Sequence, residues 1–348
     1  MLTRDDNEFL CRIGPGTPMG NLWRRYWVPA VLAYEVPEPD STPVRVRILG
    51  EDLVVFRDSS GKVGAVANAC PHRGASMFFG RNEEDGLRCV YHGWKFDTTG
   101  ACVDMPNEPA ESNFKHKIRI TAYPAREWGD VIWLYMGPPE HEPGLPELEW
   151  CLVPQENRHV SKWYYGANYL QGLEGELDSA HISFLHSWLD PDSMVTTGRP
   201  RGNLSTVDRA PRLSLKETDY GFIYGGRRET PDGKYYWRLT PYLFPVYTII
   251  PGPRWPLNCR IYVPSDDEHT YGINAMYNPE APLTREQIDR MDSGVANVPR
   301  LIAGTFEPIA SRENDYFIDR EFQRTRNYTG IPNLNEQDKA IVESMGPI

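Results

Sequence analysis

Two short segments, Cys70-Pro71-His72 and Cys89-Val90-Tyr91-His92, carry two thiols and two imidazoles on either side of a 16-residue spacer, Arg73 to Arg88. Nothing else in the chain constrains its fold as strongly, because four soft or borderline donors must converge on one point. Two cysteines on one iron and two histidines on the other make a mixed-ligand two-iron two-sulfur cluster, whose reduction potential lies above that of an all-cysteine cluster. One Cys and one His per loop fits that division. Zinc competes on residue type alone, but its usual spacing pairs Cys with Cys and His with His, whereas each loop here mixes the two. Gly74, Gly86 and Gly93 flank the four donors, where a loop must approach a cluster closely.

A second group lies in the segment Asn168 to His186, where Asp178 precedes His181 by three residues and His186 follows five later. On a helix Asp178 and His181 share a face. His186 would fall about 140° around the wheel from His181, so the spacing predicts a bulge or break between the two histidines. Two neutral imidazoles and one carboxylate form the facial triad of iron(II) oxygenases, which keeps positions open for O2. The carboxylate must come from elsewhere, and by sequence alone Asp315, Asp319, Asp338 and Glu343 compete for the role, while Asn335 and Asp338 also read as a helix-capping pair. A pair of histidines is often no more than two satisfied core or surface residues. The first group changes that weighting, since an electron store is useful only where a second centre consumes its electrons. His116, His141, His159 and His269 are isolated and read as surface residues.

The 348 residues are enough for two domains, with 40% hydrophobic residues to supply two cores. Alternating or apolar stretches at Val44–Leu49, Leu53–Phe56, Val63–Val66 and Val131–Tyr135 predict an N-terminal all-β domain. The proline-rich run Gly137–Pro146 continues neither helix nor sheet and sets the boundary. The divisions expected are 1–24, 25–140 and 141–348. Beyond the boundary, a helix is expected around Leu170 to Leu185, strands within 221–277, and helices near Thr284–Asp292 and Asn335–Ser344, which gives an α+β catalytic domain. Six cysteines without a regular framework, and an opening Met1-Leu2-Thr3-Arg4 that lacks signal-peptide character, place the chain in a reducing cytoplasm. No stretch approaches the roughly 20 apolar residues of a membrane span. A net charge of −11 without a basic stripe argues against a nucleic-acid partner.

The run Cys70-Pro71-His72-Arg73-Gly74 with Cys89-Val90-Tyr91-His92-Gly93-Trp94 resembles the cluster signature of Rieske non-haem iron ring-hydroxylating oxygenase α subunits, and Gln171 to His186 resembles their iron segment. Arg24-Arg25-Tyr26-Trp27, Asn314 to Arg320 and Gln337 to Gly346 bring the chain nearest the phthalate 4,5-dioxygenase branch. The resemblance implies an all-β Rieske 2Fe-2S domain over 25–140, held by Cys70, His72, Cys89 and His92. It implies a mononuclear Fe(II) domain over 141–348, with a central antiparallel sheet flanked by helices, and residues 1–24 packing on it. It assigns the third iron ligand, beside His181 and His186, to Asp338. It also implies that Asp178 bridges His181 of one subunit and His92 of the partner subunit, which requires a head-to-tail homotrimer or stacked trimers. Members of the branch commonly continue past Ser344-Met345-Gly346-Pro347, whereas this chain stops at Ile348, which bears on subunit contacts and pocket closure rather than on the ligands.

The implied activity is reductive activation of O2 to cis-dihydroxylate a small, phthalate-like aromatic acid in aromatic catabolism. Monooxygenation or O-demethylation of an aromatic ether is the alternative, since the outcome depends on which carbon faces iron. The chain has no GxGxxG fingerprint, so electrons from NADH or NADPH are expected through a separate flavin/iron-sulfur reductase. Arg238 in Tyr235-Tyr236-Trp237-Arg238-Leu239 could turn inward and bind a carboxylate; alternation equally permits an outward, solvated arginine, the reading preferred from sequence. Two rivals from other classes are an electron-transfer Rieske protein, which needs only the first domain, and a zinc-stabilised binding protein.

Overall fold

The computed structural model describes residues 2–189, 208–252, 255–294 and 297–348. The chain divides into two compact units, one formed by residues up to Leu152 with Val263–Asp267, the other by Val153–Tyr262 and Glu268–Ile348.

Three small sheets build the first unit. Trp27–Leu32, Val131–Tyr135 and Ala125–Trp128 form one; Val44–Ile48, Glu51–Arg57, Val63–Ala67 and Ala122–Tyr123 form the second; Arg81–Glu83, Gly86–Arg88, Lys95–Phe96 and Cys102–Asp104 form the third. The predicted strands reappear with boundaries shifted by a residue or so. Trp27–Leu32 and Val131–Tyr135 are buried along their whole length, which explains their unbroken apolar character.

The unit boundary lies beyond the proline run, and the reason is chemical. Prolines donate no hydrogen bond, but their carbonyls accept, and two indoles use them: Trp27 Nε1 donates to Pro143 O at 2.9 Å and Trp128 Nε1 to Pro146 O at 3.2 Å. Trp150 then stacks on Trp133, with ring centroids 6.0 Å apart. The segment expected to set the boundary is therefore docked on the first unit. Residues 1–24, expected to pack on the catalytic domain, also group with the first unit. There the buried Arg24 guanidinium donates to the carbonyls of Ile13, Gly20 and Leu49 and to Glu51.

The second unit is organised by a seven-stranded antiparallel sheet in the order Arg158–Tyr165, Thr270–Tyr277, Leu257–Pro264, Tyr247–Ile250, Tyr235–Leu243, Gly221–Glu229, Arg212–Thr218. Two helices of this unit matter for the site. Tyr169–Leu177 starts at Asn168, whose side chain accepts from Leu170 N while Gln171 reaches back to Asn168 N. Leu334–Ser344 starts at Asn333, whose side chain accepts from Glu336 N. Asn333 thus holds the capping place that an Asn335–Asp338 pair was weighed for.

Candidate functional site

In the first unit, the two cysteine loops share one backbone design. Gly74 N donates to Cys70 O (2.8 Å) and Gly93 N to Cys89 O (2.9 Å), while Cys70 N donates to Ala75 O and Cys89 N to Trp94 O. Both turns close through a glycine in the left-handed region, φ 72° at Gly74 and 78° at Gly93. A Cβ at Gly93 would also meet Pro106 at 2.6 Å. Within these matched frames the histidine stands two residues after the cysteine in one loop and three after it in the other. His72 and His92 come together with ring centroids 4.3 Å apart, and His72 lies flat against Trp94 at 4.5 Å.

The thiols of Cys70 and Cys89 are free and buried among Val54, Phe56, Met77, Leu87 and Phe96. Burial pushes the Cys70 thiol up to about 11, and neighbouring Cys89 adds to it. Such thiols ionise when a cation compensates them. His72 Nδ1 is buried without a hydrogen-bond partner. A metal group that takes two thiolates and two imidazoles fits this cradle, and the donor set by itself suits a 2Fe-2S cluster or zinc.

In the second unit, the structure departs from the expected helix over 170–185. The helix ends at Leu177, before either histidine, and Asp178 is its cap with extended backbone (φ −63°, ψ 125°). Asp178 itself causes the break: its carboxylate accepts from Ala180 N (2.8 Å) and His181 N (2.9 Å), which offers the chain an alternative to another helical turn. A short 3-10 turn, His181–Ser183, follows and brings His186 back toward His181. The two imidazoles then sit edge to face with centroids 5.0 Å apart.

Asp338, from helix Leu334–Ser344, completes the group. One ligand atom each from His181, His186 and Asp338 lie within 4.8 Å of one another. Asp338 Oδ1 stands 3.1 Å from His186 Nε2 and 3.8 Å from His181 Nε2. Asp315, Asp319 and Glu343 are not in this group; Glu343 instead receives Gly166 N, Tyr316 Oη and Lys339 Nζ.

The far nitrogen of each ring is also held. His181 Nδ1 meets Asp178 Oδ2 at 3.1 Å, and His186 Nδ1 meets Gln337 Oε1 at 2.7 Å. Gln337 is oriented in turn by its own donation to Ile331 O at 2.6 Å. Acceptors at both Nδ1 atoms fix the tautomers, so both Nε2 lone pairs are directed at the triad. Gln337 was missed in the sequence, where nothing distinguishes it from a surface residue. Burial raises the Asp178 carboxyl, but the hydrogen bonds from His181 and the two amides outweigh it and hold it at about 2. For His181, burial opposes the charged form, yet Asp178 and Asp338 overcome it and raise the imidazole. The site is thus predisposed to a cation.

A second feature that sequence reasoning missed holds the same turn. Arg228, fully buried, donates to Ser179 O, Ser179 Oγ and Ser183 Oγ on either side of His181, and to Asp208 O. Ser179 approaches the strand closely because Gly226 offers no Cβ, which would stand 2.6 Å from its Oγ. A buried arginine without a carboxylate in reach of any pattern rule leaves no sequence signal.

The triad opens on a cavity of about 690 Å³ lined by residues that include Glu176, Tyr236, Arg238, Arg260, Tyr262 and Asn335. Arg238 lines it, so the outward orientation preferred from sequence is overturned. Its strand pairs Gly226 with Arg238, and that face of the sheet also carries Arg228 and Tyr236 toward the histidine turn. Among the described residues no carboxylate forms an ion pair with Arg238. Burial lowers the pKa of its guanidinium, against which only nearby Tyr236 and Glu176 act.

Comparisons with known proteins add the following. Residues 26–124 match the family described as Rieske [2Fe-2S] domain, and residues 134–348 match LigXa C-terminal domain like. The chain is 39% identical over 368 residues to the 3-chlorobenzoate-3,4-dioxygenase oxygenase subunit of Comamonas testosteroni, covering 100% of this chain and 83% of that one. It is 40% identical over 362 residues to the phthalate 4,5-dioxygenase oxygenase subunit of Pseudomonas putida, covering 100% and 80%. Among solved structures it is similar in fold to dicamba monooxygenase bound to 3,6-dichlorosalicylic acid, with a TM-score of 0.63, 18% identity, and coverage of 92% and 87%.

Proposed function

The chain belongs to the Rieske oxygenases, and from that premise we propose that it oxidises an aromatic acid with O2 at an iron held by His181, His186 and Asp338. It is an oxidoreductase, and its cofactors are a Rieske 2Fe-2S cluster and a mononuclear iron. When bound, the cluster stores electrons and the mononuclear iron offers the open positions at which O2 is reduced. Cys70 and Cys89 are the proposed ligands of one cluster iron, His72 and His92 of the other. Asp178 holds His181 through Nδ1 and is proposed to connect it to His92 of the partner subunit within a homotrimer. The electron donor is proposed to be a separate reductase, and the compartment the cytoplasm.

The observation that carries the substrate class is Arg238, a charged donor fork inside the cavity of the triad with no carboxylate partner among the described residues. A substrate carboxylate satisfies it in bidentate fashion. The names of two relatives support an aromatic acid, since 3-chlorobenzoate and phthalate are both aromatic carboxylates. Arg238→Gln is expected to weaken binding of an aromatic carboxylate by about 100-fold, as loss of one partner of a hydrogen-bonded charge pair does. Anaerobic calorimetric titration of the holoenzyme reads this directly. Unchanged carboxylate binding removes Arg238 from the proposal. Dihydroxylation is the first reading of the product, and incorporation of both atoms of labelled O2 into one ring distinguishes it from monooxygenation.

The tautomer lock gives a second expectation. Gln337→Leu removes the acceptor from His186 Nδ1, and loss of such a partner costs about 10–100-fold in metal affinity. Mononuclear iron retained against a chelator should fall by that factor while cluster iron and sulfide stay constant.

A further inference from the structure

The cavity contains a second guanidinium, and its treatment differs from that of Arg238. Arg260, buried, extends from strand Leu257–Pro264 with Nε 3.5 Å from Glu176 Oε2, and its Nη1 donates to Asn297 O at 3.0 Å. Tyr262 Oη donates to the same Glu176 oxygen at 3.1 Å. This carboxylate is set in place by helix packing. Gly172, one turn before Glu176, lets Tyr262 lie against the helix, since a Cβ there would meet the ring at 2.5 Å. Despite its burial, Arg260 keeps its charge favoured, and Glu176 is the main reason.

Glu176 is thus ion-paired with Arg260, while among the described residues Arg238 has no carboxylate in ion-pair contact. The carboxylates of Asp178 and Asp338 stand against the charge of the metal their site would hold. One positive charge remains in the lining of the described cavity. Resting on the reading of Arg238 as a carboxylate anchor, we propose that Glu176 makes this a pocket for aromatic monocarboxylates and excludes dicarboxylates. A second carboxylate on the ring would meet Glu176, which stands 3.5 Å from Arg260 Nε, as a like charge, an arrangement that costs several-fold to hundreds-fold in affinity. This replaces the phthalate-like acid expected from sequence, a dicarboxylate, with an aromatic acid that carries a single carboxylate.

The test uses anaerobic holoenzyme and calorimetric titration with benzoate, phthalate and benzamide. Wild-type protein should prefer benzoate over phthalate by about tenfold or more, and over neutral benzamide by a similar factor. Glu176→Gln keeps the shape and an acceptor for Tyr262 but frees the charge of Arg260. It should raise phthalate affinity relative to benzoate by about tenfold or more. Wild-type binding of phthalate as tight as that of benzoate overturns the proposal without any variant, and so does an unchanged ratio in Glu176→Gln. Failure of the underlying reading looks different: benzoate and benzamide would then bind equally, and Arg238→Gln would change neither.

Discussion

Asp338→Ala is expected to leave a protein with a full cluster and an empty mononuclear site. Asp338 is the only carboxylate within reach of both His181 Nε2 and His186 Nε2 among the described residues, at 3.8 and 3.1 Å. Its side chain is about one-third exposed to the cavity, so removal opens no buried void and the fold should persist. Two imidazoles alone hold a divalent iron poorly, because the anionic oxygen donor is gone. Iron should fall from about three to about two per chain with sulfide unchanged, and product formation should drop to background. Retention of about three irons would move the third ligand elsewhere.

Asp178→Asn should retain both metals and lose turnover. The asparagine amide keeps the size but only one acceptor: with that oxygen toward His181 N and Nδ1 the cap on Ala180 N is given up, and the negative charge beside His181 Nδ1 disappears. That charge is secure in the native protein, since the carboxyl is held at about 2. Under the proposed connection to His92 of the partner subunit, the variant interrupts the path between centres without emptying either one. Reoxidation of a pre-reduced cluster in a single turnover should slow by about 100-fold or more. Transfer at the wild-type rate contradicts the role.

The legible parts of this protein are those where side-chain chemistry or local capping speaks for itself. Cys70, His72, Cys89 and His92 stood out as one group because four such donors in mixed loops have few uses, and the fold brings His72 and His92 together. The start of the helix at Tyr169 was written in Asn168 and Gln171. Its end was not, because Asp178 caps the following turn rather than extending the helix, and spacing on a helical wheel cannot register that competition. Helix Leu334–Ser344 was found, yet the run Asn335-Glu336-Gln337-Asp338-Lys339 contains no apolar residue that would mark it as buried. In the fold, Glu336 is fully buried against Arg300, and Gln337 reaches His186. Those partners lie 36 and 151 residues away, beyond any local pattern. The same holds for Arg228, whose partners around His181 are 45 to 49 residues distant. Arg238 faced both ways in an alternating strand, and only the position of the histidine turn beside Gly226 decided which face is inner.

The central claim is that one chain holds two different iron sites, and iron, sulfide and zinc analysis with EPR on anaerobically purified protein tests it most directly. After dithionite reduction a Rieske-type signal is expected, and addition of nitric oxide should produce a nitrosyl-iron signal from the second site, with about three irons per chain when both sites are full. Zinc in place of labile sulfide, with no signal from either treatment, would contradict it.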